Sequence, residues 1–528
     1  MSNDLEEFLS STQKGQVSRR DFLRTATALG VAAPIATALL SQNAFAAETP
    51  KKGGHLIAGL QGGSSTDSLD PALFASQVPF NFSRTWGETL ISIAPTGEAI
   101  PNLATSWEPT NGAKTWTFTL RKDVQFHNGK KMDANDVVQT LKRHSGEETK
   151  SGALGIMRDI ASVSVQGSTV VIELTGGNAD LPYLLSDYHL VIQPNGGFDD
   201  PSAGIGTGPY KVTVNEPGIR HIGEKFAGYW NNDVGHADSI EIRVLNDQTA
   251  RMSALQSGAV HFINRISPAT AKLLDRLPAV DVVNTSGRGH YTFLMHADTA
   301  PFDNLDLRLA LKYSIDREDM VKRILHGYGT VGNDYPINAA YDLYNPEIEQ
   351  RAYDPDKAAF HYKKSGHSGP IILRSSDAAF AGAVDAALMF SQQAAKAGID
   401  IKVQREPADG YWSNIWNKKP FCASYWTGRN TQDEMYSVAY KSTADWNDTK
   451  WKRPAFDSLL AQARVETDRA KRKDVYTQMS TMVRDDGGVI IPMFNDFIDG
   501  KSNKVAGYVE DPAAELSNGF ALTRCWLA

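Results

Sequence analysis

The sequence predicts an α/β fold assembled from two or three packed units, and three observations lead there. The chain has 528 residues, more than one ordinary hydrophobic core holds. Segments with period-two alternation and segments with helical spacing are interleaved along it. Hydrophobic residues make up 41% and charged residues 22%, the mixture of a globular chain whose helices cover sheets.

The elements can be taken in chain order. Thr115-Trp116-Thr117-Phe118-Thr119-Leu120 alternates strictly and reads as a strand, and the β-branched run Thr169-Val170-Val171-Ile172-Glu173-Leu174 reads as another. Between them a helix starts after Asp133. That residue is a good N-cap, and Asp136 lies in the first turn, where the helix dipole favours a carboxylate. Residues 307–325 carry a longer helical pattern, interrupted by Asp316 and closed by Gly327, a residue suited to the left-handed cap. Residues 456–483 place apolar side chains at helical spacing with charged ones between them. Asp485-Asp486-Gly487-Gly488 stops that pattern, and Val489-Ile490-Ile491-Pro492 reads as a short buried strand.

The first 46 residues read as a targeting segment. Ser18-Arg19-Arg20-Asp21-Phe22-Leu23-Arg24 is a twin-arginine pattern. The modest apolar stretch after it, 25–40, is shorter than a bilayer span and broken by Gly30 and Pro34. Ala44-Phe45-Ala46 offers small residues for cleavage before Ala47. Such signals direct folded protein across a bacterial inner membrane, and no cysteine stands near the cleavage point for lipid attachment. The expected mature form is therefore free in a Gram-negative periplasm. Its charges sum to the −7 of the whole chain, without a long basic run, which argues against a nucleic-acid partner. Cys422 and Cys525 are the two cysteines. In an oxidising compartment they could pair, or they could stand as two thiols, and spacing does not decide between these.

Several segments, in order, resemble the family 5 extracellular solute-binding proteins of ABC importers, the dipeptide, oligopeptide and nickel-binding group. They are Pro101-Asn102-Leu103-Ala104-Thr105-Ser106-Trp107, the run from Trp116 through Phe126-His127-Asn128-Gly129, Ala134-Asn135-Asp136-Val137-Val138 and Gly206-Thr207-Gly208-Pro209-Tyr210. Pro301-Phe302-Asp303-Asn304, Arg308 to Glu318, Phe456-Asp457 and Pro492-Met493-Phe494 complete the set. The resemblance implies a large three-subdomain periplasmic binding protein fold, in which two lobes hinge over an enclosed ligand. Lobe I is expected at 47–297 plus 488–528, with about 96–205 as an extra subdomain, and lobe II at 298–487. It further implies a monomer that is not an enzyme, needs no cofactor, and passes a peptide or peptide-like solute to an ABC permease.

The resemblance also points to candidate ligand-binding residues. Peptide-binding relatives carry an Asp three residues after a Trp, where it pairs with the ligand ammonium. Here Trp426 matches the Trp, but Arg429 occupies the Asp position. A guanidinium there would suit a carboxylate or phosphate. Alternatively it pairs with Asp433 or Glu434, and that acidic pair reads an ammonium. Tyr411, Trp412 and Trp416 are further aromatic candidates, each with a packing role as its alternative. Asp70, in the segment Asp67-Ser68-Leu69-Asp70-Pro71, resembles an entrance residue that either touches ligand or shapes a turn. A receptor for an acidic non-peptide solute, opine- or sugar-derived, stands as the second reading, with nickel or haem binding and a secreted hydrolase behind it. No His-Glu-x-x-His or Gly-x-Ser-x-Gly occurs, and Gly204 to Pro209 lacks dinucleotide spacing.

Overall fold

Alternation along His55–Leu60 (β1) buries Leu56, Ala58 and Leu60 and starts the central sheet. The computed structural model describes residues 49–528 except 75, 147, 408–410, 445 and 467. Lys52–Ala528 form one compact unit. The twin-arginine segment, with Arg19, Arg20 and the expected cleavage point, lies outside the described residues. No helix among the described residues is long and apolar enough to cross a membrane.

After β1 the chain forms helix α1 (Gln77–Trp86), then a four-stranded antiparallel sheet of β2 (Ala104–Thr110), β3 (Thr115–Leu120), β4 (Ile160–Gln166) and β5 (Thr169–Leu174). Its spatial order is β2-β3-β5-β4. Helix α2 (Ala134–Ser145) is inserted between β3 and β4. Asp133 caps it as its sequence suggests: its carboxylate accepts from the Asn135 and Asp136 amides, and Asp136 reaches back to the Asp133 amide. The strands expected at 115–120 and 169–174 have those bounds. The chain then adds β6 (Tyr210–Glu216), β7 (Arg220–Lys225), β8 (Ser239–Val244), β9 (Phe262–Ile263) and the long β10 (Val280–Met295).

Two expected helices are in fact four. The 307–325 pattern splits into α3 (Leu305–Tyr313) and α4 (Arg317–Arg323). Asp316 is held extended as the cap of α4, its carboxylate accepting from Asp319 N at 3.0 Å. After β11 (Ile371–Ser375), β12 (Ile401–Arg405), β13 (Phe421–Trp426) and α5 (Gln432–Ala439), the 456–483 pattern likewise divides into α6 (Pro454–Val465) and α7 (Arg469–Asp486). Asp468 caps the second of these. The short strand expected at 489–492 is only the start of the fourteen-residue β14 (Val489–Ser502).

The main sheet runs β12-β11-β13-β10-β14-β9-β1-β8-β7-β6, with the short strand Gly329–Val331 paired to β14. β10 and β14 are antiparallel from Val280 opposite Ser502 to Leu294 opposite Val489, and their register shifts between Ser286 and His290 and again between Tyr291 and Phe293. Hydrophobic side chains gather into distinct cores along this architecture. One lies between residues 293 and 494, a second between 90 and 192 under the four-stranded sheet, and a third joins β1, α1 and β8 to the C-terminal residues. β10 and β14 begin and end in different cores: Val280 and Ile498 pack with Leu255 and Ile263, whereas Phe293, Met295, Val489 and Ile491 pack in the 293–494 core. Cys422 and Cys525 are free, each buried in a different core.

Candidate ligand-binding site

A small cavity is lined by Arg84, Ser92, Ile93, Ser186, Asn430, Asn518 and Phe520, which stand on segments flanking three of the cores. Each wall has a local cause. Arg84 stands in the last turn of α1, so Phe80, one turn earlier, shares its helical face. Ser186 follows a short helical turn, Leu181–Leu184. Asn430 sits in the connection from β13 to α5. There Gly428 adopts φ +86°, and a side chain at this position would start 2.4 Å from Arg288 Cβ. Thr431 then caps α5 by accepting from Glu434 N at 3.2 Å.

The wall at Asn518 and Phe520 rests on an unusual turn. Leu516, Ser517 and Asn518 have φ of 52°, 59° and 55°, and Gly519 continues at 78°. Three non-glycine residues in the left-handed region cost about 1–2 kcal/mol each, so their surroundings must hold them there. Asp499 Oδ2 accepts from Leu516 N at 2.6 Å and from the Tyr508 hydroxyl at 3.0 Å. Arg524 Nη1 donates to Ser517 Oγ at 2.8 Å.

The residues expected from the sequence are distributed as follows. Trp426 is buried, and its indole N–H donates to Asp448 Oδ2 at 3.2 Å, an oxygen that also accepts from Trp416 Nε1 at 3.0 Å. Burial pushes the Asp448 carboxyl up to about 7 against those two donors. Arg429 stacks over the Trp426 ring at 5.5 Å, donates from Nη1 to Gly428 O at 2.6 Å, and places Nε 3.7 Å from Glu434 Oε1. Of the two partners offered by the sequence, it is Glu434 that Arg429 meets. Burial drives the Glu434 carboxyl up to about 7, with Arg429 opposing and Asp187 reinforcing the shift.

Asp433 is fully buried and faces elsewhere: it accepts from Arg464 Nε at 2.8 Å, and Arg464 Nη1 also reaches Asp159 Oδ2 at 3.1 Å. Nearby, Arg472 pairs with Asp180 at 2.9 Å. These two arginines, on α6 and α7, thus tie the last long helices to segments flanking the four-stranded sheet. Tyr411 lies in the 293–494 core and donates its hydroxyl to Ala423 O at 2.8 Å. The Trp412 side chain lies outside the described residues. Asp70 caps the turn Pro71–Leu73 by accepting from Ala72 N at 2.9 Å, and pairs with Arg143 at 2.9 Å. None of these side chains lines the cavity; from the 425–436 segment the lining residue is Asn430.

Sequence reasoning missed Arg84, Asn518 and Phe520. The Arg84 guanidinium is held between the Phe80 and Phe520 rings at 5.4 and 5.0 Å, and Tyr188 packs edge-on to Phe80 at 5.0 Å. Asn518-Gly519 is a left-handed turn signal in the sequence, but nothing there ties it to Arg84.

The comparisons with known proteins agree with this architecture. Residues 98–448 match the model for bacterial extracellular solute-binding proteins, family 5. The chain is 25% identical over 469 residues to a glutathione-binding protein of Pectobacterium atrosepticum, covering 85% of this chain and 91% of that one. It is 24% identical over 488 residues to the dipeptide-binding protein of Escherichia coli, with the same coverage of 85% and 91%. Among solved structures, a Helicobacter pylori periplasmic binding protein in complex with the peptide STSA superposes with TM-score 0.77 at 22% identity, over 90% of this chain and 99% of that one. An Agrobacterium tumefaciens binding protein in complex with agropinic acid gives 0.78 at 21%, with coverage of 90% and 99%. The fold is thus the mixed α/β fold of periplasmic binding proteins, and the chain belongs to the family 5 bacterial extracellular solute-binding proteins.

Proposed function

We propose that this chain is the solute-binding subunit of an ABC importer, capturing a peptide or peptide-like small solute and delivering it intact to an inner-membrane permease. The observation that carries the reading is the family 5 match over residues 98–448, supported by a cavity lined by segments that flank three of the hydrophobic cores. A site walled in this way opens when the cores part and desolvates its occupant when they close. In this reading lobe I is 47–297 with 488–528, and lobe II is 298–487. The hinge lies in the paired strands β10 and β14, which pass from one core to another. Their irregular register between Ser286 and Phe293 provides the bend. Relatives named for glutathione and dipeptides support the solute class. The working form is a monomer in the periplasm, exported by the twin-arginine signal that Arg19 and Arg20 define.

The reading is tested by incubating the protein with a peptide digest and a bacterial metabolite extract, then identifying what it retains. One chemically unchanged solute per protein is expected. Cleaved products would instead support a secreted hydrolase. Replacing Arg19 and Arg20 by Lys should leave the precursor in the cytoplasm, and normal periplasmic levels would contradict the export route.

A second reading, an acidic non-peptide solute, is favoured by one observation: the cation that lines the cavity is Arg84.

A further inference from the structure

Arg84 has a guanidinium with five N–H donors. Among the described residues none of them makes a hydrogen bond or an ion pair, and Nε is completely buried without a partner. Buried polar groups in folded proteins are nearly always satisfied, and a guanidinium is costly to leave otherwise. Asp187 and Asp511 act on its charge from nearby without pairing with it, and Asp511 Oδ2 accepts no hydrogen bond itself. Asp187 is 2.7 Å from His189 Nδ1, and Asp511 is 3.6 Å from Arg524. The same guanidinium is clamped between Phe80 and Phe520, so it is held in place by rings that offer no hydrogen-bond acceptor. It lines the cavity beside Asn518, which is 7% exposed and whose side-chain amide makes no hydrogen bond among the described residues. Asn430, across the cavity, donates to Ser186 Oγ only at 3.4 Å. The strained turn at 516–518 gives this arrangement a purpose, since it places both Asn518 and Phe520 against Arg84.

We infer that Arg84 is the residue that reads an anionic group of the solute, a carboxylate or phosphate held in two-point contact and flanked by the Asn518 amide. A guanidinium fork matches such a group in geometry as well as charge. Arg429 does not compete for this role, because its charge faces Glu434 and its Nη1 is engaged by Gly428 O. The inference rests on the cavity being the solute site and adds the chemistry that the site selects.

The test uses wild type, Arg84→Gln and Arg84→Lys, each stripped by unfolding and refolding, then exposed to the same bacterial metabolite extract and tryptic digest. Retained solutes are identified by mass spectrometry, and each carboxylic acid found is re-tested against its amide. Wild type should retain solutes bearing at least one anionic group and prefer acid over amide by tenfold or more. Arg84→Gln should lose that preference, bringing the ratio close to one, and Arg84→Lys should keep part of it. A stability defect alone would not move the acid-to-amide ratio. If Arg84→Gln keeps the wild-type ratio, or wild type retains only solutes without an anionic group, the role of Arg84 is overturned while the receptor reading stands. If wild type retains nothing from either mixture, the receptor reading fails and this inference falls with it.

Discussion

Glu434 is a carboxyl taken out of water with one cation near it, and that sets a measurable sign. Its folded-state value of about 7 lies above the ordinary 4.5. As pH rises from about 4.5 to 7 the unfolded chain gives up this proton first, so the group's contribution falls, and the destabilisation is complete above pH 7. Glu434→Gln should therefore stabilise the protein at pH 8 by up to about 3 kcal/mol and change it little near pH 4.5. Urea unfolding at the two pH values checks this, and an equal loss at both would contradict it. Arg429→Ala removes the opposing cation and should act in the other direction, lowering the melting temperature more at pH 8 than at pH 5. At this scale the sequence was legible where partners are close along the chain. Arg429 and Glu434 sit five positions apart, and their pairing stood among the readings of that segment. Arg84 was opaque, because half of its clamp, Phe520, comes from the far end of the chain and an arginine on an amphipathic helix is usually just a solvated side chain.

Elements were legible when local pattern and local capping agreed. The strands at 115–120 and 169–174 and the capped start of α2 followed directly from alternation and from Asp133. The break at Asp316 was visible only as an interruption, because an Asp can sit on a helix surface or cap a new one, and tertiary packing decides. β14 was longer than its apolar start because Asn495, Asp496 and Asp499 look like loop residues. Asp496 and Asp499 stay in the strand because β10 supplies the ladder, Asn495 because Gly329 pairs with it, and Asp499 has its own acceptor role beneath the left-handed turn. The β13–α5 connection makes an element-scale prediction. At Gly428 the φ of +86° and the 2.4 Å approach to Arg288 both oppose a side chain, so Gly428→Ala should cost roughly 1–3 kcal/mol. A thermal melt within a degree of wild type would show that the connection relaxes freely.

At the scale of the whole molecule, the ordered motifs of the sequence announced the fold, since they mark turns and packing contacts that the architecture requires. The ion pairs joining distant segments, Arg464 with Asp159 and Arg472 with Asp180, were not legible, because nothing local identifies a partner across a gap. If they hold the closed arrangement, Asp159→Asn combined with Asp180→Asn should enlarge the radius of gyration in small-angle scattering and weaken solute retention. An unchanged radius would assign them to stability alone. The central claim is that three cores close over a small solute and release it unaltered. Mass spectrometry of the intact protein under native conditions, after exposure to the peptide and metabolite mixture, tests it most directly. One added mass per protein is expected, shed on activation and matching a component of the mixture unchanged; the bare protein mass alone, or an added mass found only as a cleaved product, would contradict it.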